Sequence, residues 1–347
     1  MRISARQLNR TLLQRQHLLE RVDLEVPDLV RHLLGLQAQD PLPPYLGLHA
    51  RLTTFDPYAV SRALTDRSLV RLLTMRGTIH LLTPADALSL RPWVQPALER
   101  EVRANAAIAP ARDLAREAFT SAVSSVLAPR SLPVKALGEA LTGHFPSVPA
   151  TALAALARVA APLVQLPPRG AWKESGGVTY QLVDRWLAAP LAPIDPSDVV
   201  RRFLAAFGPA TAADVTAWSG VTGLAALVKG MSDLVVHSDE NGRPLYDLPD
   251  LPLAHPDAPA PVRLLGTYDN LWLSHAARDR VTAPDPRKRW MGPNGGMAHV
   301  VLVDGKLEGL WRLVDGRVVP ELFRPLTVRE RSELDDEVAR VEVLMAS

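Results

Sequence analysis

The 347-residue chain contains no cysteine, and that absence excludes disulfides, thiolate zinc sites, cysteine-ligated iron–sulfur clusters and cysteine nucleophiles together. Its nine histidines include no HxxxH pair, so neither zinc nor any other cofactor is expected. Neither GxxxxGK(S/T) nor GxGxxG occurs, which disfavours phosphoryl transfer, and the lack of GxSxG disfavours a serine hydrolase. No apolar run of 18 residues is present, so no membrane span is expected. The opening Met1-Arg2-Ile3-Ser4-Ala5-Arg6-Gln7 begins an amphipathic pattern rather than the apolar stretch and cleavage site of a signal peptide, which points to the cytoplasm. Net charge is small too, +2, although the sequence pI is about 9.0. A basic surface therefore has to come from clustering, as in Arg278, Arg280, Arg287, Lys288 and Arg289; such a cluster fits a polyanion partner or an ordinary solvated face.

What is present is enough apolar sequence for two or three cores, with 47% hydrophobic residues. The order helix, helix, helix, β-hairpin recurs three times without internal sequence identity, and that order describes a winged helix. In the first unit Ser4 caps a helix over 6–16, and helices follow over 27–36 and 56–64. Apolar runs at 69–74 and 78–83, with Arg76-Gly77 near the turn, read as the wing. Helices over 84–105 and 111–127 bridge to the second unit, whose helices are expected at 133–141 and 150–160 and its wing at 163–166 and 178–183. Between those strands Arg169, Trp172 and Lys173 form a loop that either touches phosphate and stacks on a sugar or base, or is a solvated loop with one packed Trp. The third unit has helices at 198–207, 212–218 and 221–229 and a hairpin pairing 234–237 with 244–248 across Asn241-Gly242.

Beyond the Pro-rich residues 249–261 the pattern changes to a three-stranded meander at 298–303, 306–313 and 317–322, closed by a charged helix over 328–345. The chain is thus expected to be α+β: three tandem winged helices over 1–105, 106–190 and 191–250, then a C-terminal β-hairpin region with a terminal helix over 251–347. The glycine-rich Gly292-Pro293-Asn294-Gly295-Gly296, followed by His299, is either an ordinary turn or a loop whose small residues allow close approach to a DNA groove.

The tetrapeptide Gln37-Ala38-Gln39-Asp40 carries the chemistry. In extended chain, residues two apart project to the same side, so Gln37 and Gln39 present two carboxamides together. An amide offers donors and an acceptor but no base. Such a pair orients a water for attack on an already activated carbon, and alkylated purines meet that condition; the bland alternative is that both residues cap backbone groups or face solvent. Asp40 either orients a glutamine or helps accept a proton, or is structural.

Several segments together resemble the AlkZ-type winged-helix DNA glycosylases, a bacterial family associated with self-resistance to DNA-alkylating natural products such as azinomycin or hedamycin. They are Gly35-Leu36-Gln37-Ala38-Gln39-Asp40, Met75-Arg76-Gly77-Thr78-Ile79-His80, Phe207-Gly208-Pro209-Ala210-Thr211 with Trp218-Ser219-Gly220, Tyr268-Asp269-Asn270-Leu271-Trp272, and Val303-Asp304-Gly305 with Gly309-Leu310-Trp311. Gln39, where a related subfamily has Asp, implies the branch that acts on bulky purine adducts; Tyr268 departs from the Phe of many relatives. The resemblance implies a monofunctional glycosylase releasing N7-alkylguanine or a related alkylpurine from duplex DNA, with Gln37 and Gln39 catalytic, at the nucleoid, as a monomer. Candidate DNA contacts are Arg169, Lys173, Arg278, Arg280, Asn294 and His299. A winged-helix transcriptional regulator without catalysis is the alternative.

Overall fold

A computed structural model describes residues 1–291 and 297–347 of the chain. Helices and antiparallel strands are mixed, an α+β fold, divided into two compact units: Met1–Pro57 with Ser197–Trp218 and Gly223–Ser347, and Tyr58–Pro196 with Ser219–Thr222.

In the first unit, the Ala5–Arg15 helix starts where the Ser4 hydroxyl accepts from the Gln7 N–H, and it buries Leu8, Leu12 and Leu13. Its last residue, Arg15, forms a buried two-pronged ion pair with Asp247 (2.6 and 2.8 Å), tying the helix to the Val235–Ser238/Pro244–Asp247 hairpin. Gly242 turns that hairpin at φ +78°, as Asn-Gly leads one to expect. Phe203 and Phe207 of the Pro196–Phe207 helix pack on Trp218 of the Ala212–Ser219 helix (5.3 and 6.2 Å between rings), forming the core under the hairpin. The C-terminal meander is present as His299–Val303, Lys306–Val314 and Arg317–Leu322. A fourth strand, Arg263–Leu265, adds to its edge; three residues after a Pro-rich stretch give too little periodicity to read. The terminal Val328–Ala346 helix opens with a capping box between Thr327 and Glu330 and lays Glu337 against Arg21 and Arg263.

Two expectations near the tetrapeptide need correction. The helix expected over 27–36 is Val26–His32; it stops because Leu34 and Gly35 take positive φ (55° and 93°) and turn the chain into the short Leu36–Gln37 strand. A further helix, Pro43–His49, follows at once, where proline had read only as a breaker. Pro43 and Pro44 occupy its first turn, where no backbone N–H is needed.

The second unit holds an antiparallel sheet in which Ile79–Leu82 pairs with Val70–Leu73, Val70–Leu73 with Leu163–Gln165, that strand with Thr179–Leu182, and Thr179–Leu182 with Leu132–Pro133. The two hairpins read from sequence as separate wings therefore join edge to edge, through Arg71 opposite Gln165 and Leu72 opposite Val164. Val70–Leu73 and Ile79–Leu82 are buried at every position, which is why their sequences show no alternation. The Val134–Leu141 and Ala150–Ala160 helices cross at Gly138, where a Cβ would fall 2.3 Å from the Ala150 carbonyl oxygen. The helix expected from 111 begins at Arg116. Among the described residues no helix is long and apolar enough to cross a membrane.

Candidate active site

Gln37 closes the Leu36–Gln37 strand and is 7% exposed, and Ala38 is fully buried. Gln39 and Asp40 emerge at the surface. The backbone is extended at Gln37, as the alternation argument requires, and one carboxamide lies inside the protein while the next but one opens to solvent. Asp40 accepts from the Leu42 N–H (3.3 Å), an Asx turn that leads into the Pro43–His49 helix.

Both flanks of the tetrapeptide are gripped by Gly266-Thr267-Tyr268-Asp269-Asn270. On the N-terminal side the Asn270 carboxamide donates to the carbonyls of Leu33 (3.2 Å) and Gly35 (2.8 Å), all buried. On the C-terminal side Gly266 lies so close to the proline helix that a Cβ would come within 3.3 Å of the Pro43 Cα and 3.2 Å of Leu46. Asp269 faces Arg51 in a fully buried, two-pronged ion pair, 2.7 Å on each arm. Arg51 spends its remaining donors on the Gln16 carbonyl (2.9 Å), the Gln16 side chain (3.2 Å) and the Gly47 carbonyl (2.9 Å), so all five of its N–H groups are used. Asp269 also caps the Asn270–Leu273 helix through the Leu271 N–H. A saturated pair of this kind contributes rigidity more than net stability. Here it fixes the loop that holds Gln37 in place.

His299 reaches the same loop. Its Nδ1 accepts from the Thr267 N–H (3.0 Å), which puts the proton of the neutral ring on Nε2, and the ring stacks on Trp311 (4.4 Å, 23°). Trp311 is itself pinned by donating to the Leu265 carbonyl (3.1 Å). Burial lowers the His299 pKa, with the Asp40 carboxylate pulling the other way. His299 and the Gln37–Asp40 segment, far apart in sequence, thus share one frame.

The candidate cations have different settings. Arg169 and Lys173 are in the second unit, in a loop pulled inward where Gly170, at φ +93°, leaves room for the buried Arg71; a Cβ there would meet Arg71 Nη1 at 1.9 Å. Trp172 of that loop is 4% exposed and its backbone N–H donates to Ser61, so no ring face is left for a base to stack on; the packed-Trp alternative holds. Arg169 is half-buried and Lys173 exposed. In the first unit Arg278 donates its Nε–H to the Trp272 carbonyl (2.8 Å). Arg280 turns instead toward a cavity of about 460 Å3 that it shares with Asp214, Asp239 and Asp279, and its charge is met by the Asp214 and Asp279 carboxylates. Asn294 lies outside the described residues.

The residues missed from sequence are Arg51, Asp269 and Asn270 as a scaffold for Gln37. The Tyr268-Asp269-Asn270 segment was noticed, but its target, 218 residues away in the case of Arg51, has no local signal. The one hint was a charged residue, Arg51, between the apolar Ala50 and Leu52.

A family model described as DNA glycosylase AlkZ-like matches residues 30–343. An interstrand DNA cross-link repair glycosylase of Streptomyces sahachiroi is 28% identical over 354 aligned positions, covering 93% of this chain and 91% of the relative. The solved structure of the Streptomyces sahachiroi DNA glycosylase AlkZ superposes with a TM-score of 0.80 at 24% identity, over 100% of this chain and 98% of that one, a likeness of fold. With a buried Gln37 and exposed Gln39 held in one rigid loop frame, and a family match over nearly its whole length, the chain belongs to the AlkZ-like DNA glycosylases, enzymes that hydrolyse N-glycosidic bonds.

Proposed function

We propose that this glycosylase releases a bulky N7-alkylguanine, or a related alkylpurine, from duplex DNA by hydrolysis, giving the free modified base and an abasic site. The observation that supports the reading is the clamped tetrapeptide, in which Gln37 ends a short strand anchored at Gly35 and Gln39 follows at the surface two residues on, so that a water bridging the two amides is the proposed nucleophile. Alkylation at N7 makes the base cationic, so the bond is weakened beforehand and little general acid is needed. Holding the water in line with the developing oxocarbenium carbon then supplies several kcal/mol. No lysine occurs in sequence near the tetrapeptide, the first being Lys135, which argues against a Schiff-base lyase step and for a reaction that stops at the abasic site. Neutral His299, with its proton on Nε2, adds a hydrogen-bond donor near Asp40 for the adduct or the backbone beside it.

Residues 1–105, 106–190 and 191–250 serve as three winged-helix modules along the duplex and 251–347 as the C-terminal hairpin region, with Arg169, Lys173, Arg278 and Asn294 among the DNA contacts. Unhooking of interstrand crosslinks follows from the relative's description, and a monomer acting at the nucleoid suffices. No cofactor takes part. The test is base release from duplex carrying a defined N7-alkylguanine: free modified base and abasic sites support the reading, whereas tight binding without release assigns the chain to a regulator or a lesion binder. Gln37→Ala and Gln39→Ala should each slow single-turnover excision about 10- to 1000-fold with folding intact. Unchanged rates in both would sink the water-positioning role.

A further inference from the structure

A groove of about 590 Å3 in the first unit is bordered by Arg278, Asp279, Pro284, Arg287, Lys288 and Met291. Neighbouring cations are accounted for within the chain. Arg289 bonds Glu321 and lies over the Phe323 ring at 3.8 Å, and Lys288 pairs with Asp285 at 3.2 Å. Two guanidinium groups are not. Among the described residues the Arg278 side chain makes one hydrogen bond, from Nε to Trp272, with its Cζ 5.9 Å from the Trp290 ring centroid, which leaves both Nη groups without a carboxylate, and the Arg287 side chain has no hydrogen-bond or ion-pair partner. They stand near enough for Arg287 to act on Arg278, whose pKa is lowered first by burial and then by the Arg287 charge. Asp279, also at the groove, acts instead on Arg280, Arg243 and Lys306.

Two half-buried guanidinium groups lining one groove without a carboxylate of their own repel, which costs folding energy. A shared anion removes the repulsion, and a forked guanidinium pair matches the oxygens of a phosphate. Pro284 and Met291 give the same groove an apolar side that suits a deoxyribose better than a free ion. We propose that Arg278 and Arg287 form a clamp for one phosphodiester of the DNA backbone. The proposal rests on the DNA-glycosylase reading and adds the pairing of Arg278 with Arg287 on one phosphodiester, which the sequence pattern does not show.

Binding of the full chain to an undamaged duplex is measured against salt for wild type, Arg287→Gln, Arg278→Gln and the double variant. Each single change should weaken binding about 5- to 10-fold at low salt and make the slope of log K against log salt shallower by roughly 0.9. A duplex in which the contacted linkage is a neutral methylphosphonate should bind wild type as weakly as the normal duplex binds Arg287→Gln, with no further loss when the two are combined. Arg287→Gln should melt at or above the wild-type temperature, because it removes repulsion rather than a contact. An unchanged slope in both single variants overturns the clamp, and so does a melting temperature that falls together with affinity, the signature of a structural arginine. Inorganic phosphate at a few millimolar abolishing the dependence on Arg287 would assign the site to a free anion and overturn it too. Base release from alkylated duplex is followed in parallel: its absence in wild type defeats the glycosylase reading and leaves the slope result to stand on its own.

Discussion

Asn270→Ala separates the scaffold of the active site from the active site itself. The Asn270 amide is the buried donor to two carbonyls, those of Leu33 and Gly35, immediately before the Leu36–Gln37 strand. Removing it strands two buried acceptors at about 1 to 3 kcal/mol each, so the loss of stability should be about 2 to 6 kcal/mol. At roughly 2 to 4 °C per kcal/mol, the melting temperature should fall by about 4 to 24 °C. The rate should suffer separately. Once Gly35 is unanchored, a slip of about 1 Å at Gln37 is enough to cost on the order of 100-fold in excision. The assay is single-turnover base release with enzyme in excess, well below the melting temperature of the variant, so that the folded fraction is near unity. Gly138→Ala is the control: it overpacks the Val134–Leu141 and Ala150–Ala160 crossing in the other unit and costs about 1 to 3 kcal/mol without touching the tetrapeptide's frame. Asn270→Ala slowed and Gly138→Ala unslowed is the expected pair. If Asn270→Ala loses stability as calculated and still excises at the wild-type rate, the Gly35 anchor does not position Gln37 and the reasoning fails.

Three further outcomes are expected. His49, His80 and His275 are held neutral by burial, with pKa values pushed down to about 4, about 3 and about 3. Their unfolded values are near 6.5, so below that pH the unfolded chain takes up protons the fold refuses: stability is full above about pH 7 and falls as pH drops, by about 1 kcal/mol per histidine at pH 5.5. A melting temperature flat between pH 7.5 and 5.5 would contradict this. Gly170→Ala should destabilise by about 2 kcal/mol or more, since its φ is +93° and the new Cβ meets Arg71 Nη1 at 1.9 Å; an unchanged denaturation midpoint would show that Arg71 swings aside freely. Asp269→Asn leaves the Arg51 charge buried and uncompensated and should cost about 3 to 5 kcal/mol in urea unfolding, much of it recovered when Arg51→Met is added. No recovery in the double variant would mean that the two residues do not act as a pair.

Local order was legible wherever the signal is local. Ser4 caps the helix it was placed to cap, the terminal helix starts at Val328 as expected, the 150–160 helix falls where its apolar period puts it, and the Asn241-Gly242 hairpin forms as read. The extended backbone at Gln37 was legible in the sequence, whereas the burial of Gln37 and the exposure of Gln39 were not. Failures came where meaning depends on partners. For Trp172 the sequence left a stacking face and a packed ring both open, and burial decided for the packed ring; Arg278 and Arg280 looked equivalent, yet one opens on a groove and the other meets Asp214.

The sequence by itself determined most of the helices and hairpins and the absence of cysteine chemistry, because caps, turn dipeptides and hydrophobic period act over a few residues; the Pro43–His49 helix and the Arg263–Leu265 strand lay beyond those rules. Only the tertiary structure decided that Tyr268-Asp269-Asn270 grips the tetrapeptide, that two hairpins share one sheet, and that residues 1–57 join the C-terminal half rather than the segment that follows them. Those outcomes rest on the pairing of buried charges and carbonyls separated by more than 200 residues, and no local rule records which buried donor will find which acceptor.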